Sequence, residues 1–263
     1  TNGTIMTEAL LESYVNYVDE LVISIDGMSE NFNKIRDFPL EKIIDNIQRL
    51  NGKKKEKQSK TPKVVFQMVI TSENHRDVPS VVELTDELDV TKIIFSNIVP
   101  AQLEDQHLAM YKMYEKEPLK SILNAASHKA LPRGIELVLP EVILKTDRRC
   151  RFIEDEATVI TVNGFVVPCY RLAHNGKEVV FGREKEISAH HFGKLSEMTL
   201  EQIWHKSEYA NYRRMVLNHQ YPSCMDCDLV DGCDMATNTD MDCFGNVPSC
   251  ADCLWSRQVV YCV

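Results

Sequence analysis

The chain has 263 residues, with 30 Lys and Arg against 39 Asp and Glu, giving a formal net charge of −9. That length suffices for one or two domains with a buried core, and the acidic balance argues against charge-driven binding to nucleic acid or to an anionic membrane. Hydrophobic residues at 44% and charged residues at 26% mark a globular chain rather than a disordered one. No apolar run approaches the roughly 20 residues that cross a bilayer, and with no secretory leader the expected location is cytoplasmic.

Residues 6–18 carry apolar side chains at helical spacing, with Thr7 placed to cap the start. Residues 21–25 follow as a short, β-branched run closed by Asp26-Gly27. The cycle repeats: 38–50 predicts a helix with Ile43, Ile44 and Ile47 on one face, 52–60 a solvated basic linker, and 63–70 a strand. A third helix over 78–88 leads into a strand over 92–99 ended by Pro100, after which 102–130 predicts a helical connection and 134–143 another strand. Strands alternating with helices imply parallel pairing in an α/β sheet covered by helices. Ligands of such sheets sit beyond the carboxyl ends of the strands. Those ends carry Ser24 and Asp26, then Thr71, Ser72 and Asn74, then Asn97, residues that turn and cap chemistry also explains.

All nine cysteines lie at or beyond Cys150, and seven fall between Cys224 and Cys262. Residues 157–167 alternate around Asn163-Gly164, which predicts a hairpin with a type I′ turn and positive φ at both central positions. Such a hairpin returns the chain on itself and can bring Cys150, before it, and Cys169, after it, to one point. Thr199-x-x-Gln202 is a capping box that starts a helix running through Ile203, Trp204 and Tyr212 towards Met215. Past Pro222 the pattern is Cys224-x2-Cys227-x5-Cys233-x9-Cys243-x6-Cys250-x2-Cys253-x8-Cys262. This segment is too poor in apolar residues to hold itself together, so metal ligation is expected to supply its folding free energy. The odd cysteine count and the tight Cys-x2-Cys pairs argue against a disulfide scaffold. Two chemistries compete. Cys224/Cys227 with Cys250/Cys253 would make a four-thiolate zinc site, and with it a non-catalytic interaction module. Iron–sulfur clusters take four thiolates each, and nine cysteines provide two sets with one left over, so the count favours iron–sulfur. The aspartates between 226 and 242 lack calcium-loop spacing, His190-His191 reads as a surface loop, and the lysines at 53–57 as an exposed linker.

Cys150-x13-Gly164-x4-Cys169, followed after a gap by Cys224-x2-Cys227-x5-Cys233 and further cysteines, resembles the SPASM domain, the auxiliary-cluster module at the C-terminus of many radical S-adenosylmethionine enzymes. The stretch 192–204 is similar to that module too. Thr1-Asn2-Gly3-Thr4, the strand ending Ser24-Ile25-Asp26-Gly27 and the later strands resemble the second half of those enzymes' partial (β/α)6 barrel. The resemblance implies a barrel portion over residues 1–145, with the equivalents of strands four to six, and a SPASM domain over 146–263 with a β-hairpin and a helix. It implies two auxiliary 4Fe–4S clusters: Cys150, Cys169 and Cys243 for one, with a fourth position filled by Cys250 or left open, and Cys224, Cys227, Cys233 and Cys253 for the other, with Cys262 outside both. Ser24, Asp26 and Asn74 would touch S-adenosylmethionine. A peptide or protein would be the substrate and a ferredoxin or flavodoxin the reductant, and the complete enzyme would be an oxidoreductase acting as a maturase.

Two departures stand out. The family's Cys-x3-Cys-x2-Cys motif, which binds the cluster that cleaves S-adenosylmethionine, would precede Thr1, so the stretch as it stands is expected to be a catalytically silent fragment. Nine residues intervene between Cys233 and Cys243 where the usual module has three. Tyr170 stands where sulfatase-maturing members have an acidic residue, whereas the ending from Cys243 to Trp255 is similar to maturases associated with tungsten-cofactor oxidoreductases.

Overall fold

The computed structural model describes residues 1–113 and 118–261, so Cys262 lies outside it. The chain divides into two compact units. The first comprises Thr1–Ile98, Leu108–Ile143 and Val260–Val263, and the second comprises Val99–His107 and Leu144–Val259, so the chain passes four times from one unit to the other.

The first unit is built on a parallel sheet of β1 (Glu20–Ser24), β2 (Lys63–Ile70), β3 (Val90–Asn97) and β4 (Glu136–Val138), hydrogen-bonded in chain order. Helices α1 (Glu8–Tyr17), α2 (Ser29–Arg36), α3 (Leu40–Glu56), α4 (Val78–Leu84) and α5 (Pro118–Ala130) supply the connections. In β2 the run Val64, Val65, Phe66, Met68 and Ile70 is fully buried, which is the pattern of a strand covered on both faces. Thr7 caps α1 as expected, its hydroxyl accepting from the Leu10 amide at 3.3 Å. The last strand is shorter than the 134–143 apolar run, and the connection before it contains a 3-10 turn, Leu103–Leu108, ahead of α5.

The basic segment at 52–60 is not a linker for most of its length. Helix α3 runs through Gly52 to Glu56 because its inner stripe, Leu40, Ile43, Ile47 and Leu50, is continued by Lys54, a residue only 6% exposed whose ammonium meets Asp89 at 3.1 Å. Lys53 lies 3.4 Å from Glu12 and 3.3 Å from Glu56. These ties offset the roughly 1 kcal/mol that a mid-helix glycine costs.

In the second unit, β5 (Val159–Ile160), β6 (Phe165–Val167) and β9 (Gly193–Lys194) form one small antiparallel sheet, and β7 (Gly176–Val180) with β8 (Arg183–Ile187) a separate hairpin. Helix α6 (Arg151–Glu154) follows Cys150, and α7 (Leu200–Trp204) and α8 (Ser207–Leu217) precede the last cysteines. The expected β5–β6 hairpin forms, but its turn differs: Gly164 alone has positive φ, at 77°, and its amide donates to the Thr161 carbonyl at 2.8 Å. That geometry is a type I turn closed by a left-handed glycine, which the longer loop between such short strands permits. The two-residue turn with both φ positive occurs instead at Phe181-Gly182, between β7 and β8. The Thr199–Gln202 capping box is formed on both sides, yet its helix stops at Trp204 and α8 starts afresh at Ser207. Beyond Pro222 the regular structure among the described residues is the 3-10 turns Cys224–Asp226, Val230–Gly232 and Asp234–Ala236.

Candidate iron–sulfur centre

Four cysteines line one cavity in the second unit: Cys150, Cys169, Cys250 and Cys253. Cys150 is the residue before α6, and its carbonyl accepts from the Ile153 and Glu154 amides, so the helix start fixes its position. Cys169 follows β6, whose pairing with β5 and β9 holds it. Phe152, Tyr212, Tyr221 and Trp255 complete an apolar wall. Burial raises the Cys150 thiol to about 11 and the Cys250 thiol to about 12, with the neighbouring Cys253 adding to both, and it lifts Cys169 well above an ordinary thiol for the same two reasons. Mutual elevation of this kind is what a set of thiols shows when they face one space without a cation between them. The Tyr212 hydroxyl lies 3.0 Å from Cys250 Sγ, and burial keeps that phenol protonated far above neutrality, so it is the donor once Cys250 is a thiolate.

A second set gathers around Cys224. It packs with Cys233, Ala236 and Ala251, and its thiol is raised to about 11, first by burial, then by Asp252, with Cys243 and Cys233 contributing and Lys185 opposing. The Cys227 amide donates to the Cys224 carbonyl at 3.3 Å, a tight turn that leaves Cys227 exposed beside its partner. Cys243 is exposed as well. The cavity differs from the grouping expected from the resemblance at two positions: Cys253 lines it with Cys150, Cys169 and Cys250, and Cys243 does not. The reason is the Cys-x2-Cys turn at 250–253, which directs both of its thiols to one cavity.

The residues suit a cluster better than a lone ion. Among the described residues no three His, Cys, Asp or Glu side chains converge closely enough to hold a single metal. A zinc ion would draw thiolates to about 2.3 Å from one centre, whereas a four-iron cubane puts each on a separate corner and needs a cavity between them.

The strand-end residues of the first unit are held by hydrogen bonds of their own. Asp26 is 5% exposed; its Oδ1 accepts from the Val69 amide at 2.9 Å and its Oδ2 from Arg36 Nε at 2.6 Å. Asn74 is fully buried, donating to the carbonyls of Asp26 at 3.1 Å and Val69 at 2.9 Å and accepting from the Thr71 amide at 2.8 Å. Both side chains brace the ends of β1 and β2 against each other. Ser24 closes β1 half-buried.

Sequence reasoning missed a set of charges inside the second unit. Arg171 and Glu178 are both buried and paired, with Arg171 Nε 3.2 Å from Glu178 Oε1, and Glu178 holds the guanidinium charged against its burial. Lys185 and Asp252 are each 1% exposed. The signal was the Phe181-Gly182 turn, which sets Glu178 directly opposite Lys185. Charged residues at alternate positions of a short hairpin look like its solvent face.

Residues 150–228 match the family model of the SPASM iron–sulfur cluster-binding domain. Over its whole length the chain is 35% identical, across 266 residues, to the tungsten-containing aldehyde ferredoxin oxidoreductase cofactor-modifying protein of Pyrococcus furiosus, of which it covers 74%. The chain belongs to the SPASM-containing radical S-adenosylmethionine family. Solved structures agree at the level of fold: SuiB of Streptococcus suis superposes with a TM-score of 0.55 at 13% identity over 90% of this chain, and anSMEcpe with bound AdoMet with 0.51 at 15% over 96%. Another structure, of anSMEcpe with AdoMet and a peptide, gives 0.52. The chain spans 54% of the SuiB structure and 67% of anSMEcpe. No helix among the described residues is long and apolar enough to cross a membrane.

Proposed function

We propose that the protein to which this chain belongs is a radical S-adenosylmethionine oxidoreductase that acts as a maturase, modifying a peptide or protein or helping to assemble a tungsten-cofactor enzyme. Under this proposal residues 1–145 are the second half of a partial (β/α)6 barrel and 146–263 a module with two auxiliary 4Fe–4S clusters. Chain-ordered parallel pairing of β1 to β4 supports the barrel portion. One cluster would be held by Cys150, Cys169, Cys250 and Cys253, and the other by Cys224, Cys227, Cys233 and Cys243. The observation that carries the proposal is the cavity shared by four thiols in a chain of this family.

Iron–sulfur clusters, when bound, supply one-electron transfer. The chain's own residues set the conditions for it. Four cysteines around the first cavity leave no cluster position for a substrate, which favours an electron-transfer role over substrate binding there. Tyr212, Tyr221 and Trp255 keep water from the thiolates, Tyr212 donates to Cys250, and Arg171, paired with Glu178, completes the wall. Ser24, at the carboxyl end of β1, is the strand-end side chain we assign to contact S-adenosylmethionine; Asp26 and Asn74 would hold the strand ends in place behind it. A ferredoxin or flavodoxin is the proposed donor and the cytoplasm the proposed location.

Anaerobic purification followed by iron, sulfide and zinc analysis tests the cluster assignment. About eight iron and eight sulfide per chain is the expected result, and zinc without sulfide would overturn it. The activity is tested separately: full-length protein that forms no 5′-deoxyadenosine from S-adenosylmethionine under anaerobic reducing conditions refutes the maturase reading.

A further inference from the structure

The ammonium of Lys185 is 99% enclosed by the rest of the molecule, and no hydrogen-bond acceptor reaches it. A buried ammonium without a hydrogen bond carries a large desolvation cost, and burial accordingly lowers its proton affinity. Asp252 Oδ2, at 3.9 Å, is too far to bond it and lies closer to Arg183, at 3.2 Å. Glu178, directly across the hairpin, is engaged by Arg171. Counting these side chains, three cations face two carboxylates, so within this group one positive charge has no carboxylate of its own. What remains nearby is the Cys224 group: the Glu186 amide donates to the Thr237 carbonyl at 2.8 Å and the Thr239 amide to the Glu186 carbonyl at 3.1 Å, which lays β8 along the segment that follows Cys233, while Ala236 in front of that segment and Ala251 beside Asp252 both pack on Cys224.

We propose that Lys185 is the built-in counter-cation of the iron–sulfur site formed by Cys224, Cys227, Cys233 and Cys243, and that it raises the reduction potential of that site relative to the other. This rests on the proposed presence of both clusters. A cluster with four thiolate ligands is already an anion and gains a further negative charge on reduction, so a fixed buried cation stabilises the reduced form more than the oxidised one.

The test is a redox titration, followed by electron paramagnetic resonance, of the anaerobically reconstituted protein and of Lys185→Met and Lys185→Arg. The signal that disappears in Cys227→Ala identifies the second cluster. In Lys185→Met, with iron and sulfide retained, the potential of that cluster should fall by the equivalent of about a tenfold change in its reduction equilibrium, about 59 mV for one electron, while the other moves much less; Lys185→Arg should restore at least half of the fall. Selective loss of the second cluster in Lys185→Met but not in Lys185→Arg would support the same role. Unchanged potentials at full iron content would overturn the proposal, as would a shift confined to the other cluster or equal effects of both variants. Wild-type protein without sulfide would instead refute the cluster reading beneath it, before any variant is compared.

Discussion

Asn74→Ala separates bracing from ligand binding at the strand ends. The substitution removes three hydrogen bonds in a fully buried setting: Nδ2 to the carbonyls of Asp26 and Val69, and the Thr71 amide to Oδ1. At about 1 kcal/mol net for each, the loss is about 3 kcal/mol. For a protein of this size 1 kcal/mol moves Tm by roughly 2 to 4 °C, so thermal denaturation followed by circular dichroism should show a fall of about 6 to 12 °C. Asn74→Asp should not rescue it, because a carboxylate oxygen would then face the two carbonyls that the amide now satisfies. A change in Tm below about 2 °C would refute the reasoning, and if it came with weakened S-adenosylmethionine binding by the full-length protein it would return Asn74 to the role of a cosubstrate contact.

Three further outcomes follow from the cysteine groups. Cys253→Ala should cost about four iron per chain and so should Cys150→Ala, with no further loss when the two are combined; Cys253→Ala with Cys227→Ala should lose about eight, and the reverse pattern in iron analysis would restore the grouping expected from sequence. Tyr212→Phe removes the donor to Cys250 and should lower the potential of the first cluster by some tens of millivolts in a spectroelectrochemical titration; an unchanged value would show that this contact does not survive cluster binding. In the metal-free chain, Cys150 and Cys224 at about 11 and Cys250 at about 12 bind protons more tightly than thiols of the unfolded chain, near about 8.5. Their contribution to stability is complete below about pH 8.5 and is lost as pH rises through 11 to 12. Denaturant midpoints should fall over that window without iron and stay level with it; a level metal-free profile contradicts the assignment.

Much of this architecture is legible in the sequence because local and global signals coincide. Thr7 and the Thr199–Gln202 box cap helices where they are expected to, and the β-branched runs at 21–25 and 63–70 become neighbouring parallel strands. The basic stretch after Gly52 misleads because its helicity depends on Glu12 and Asp89, residues distant in the chain. Asn163-Gly164 marks a hairpin, but its turn type is decided by loop length. Cysteine spacing identifies ligands without saying which of them share a cavity, since Cys250 and Cys253 reach Cys150 about a hundred residues away only through tertiary structure. The buried charges around Lys185 and Asp252 are the least readable, for their periodicity is that of a wet surface.

The interleaving of the two units has a practical side. A graft that transferred residues 146–263 to another scaffold through a single joint would leave behind the 99–107 segment, whose Pro100 carbonyl accepts from the Val179 amide at 2.7 Å. It would also carry away Tyr261, whose amide donates to Ser96 Oγ in the first unit at 3.1 Å. One cut therefore damages both parts, and exchange of this module between proteins calls for several coordinated joints or none.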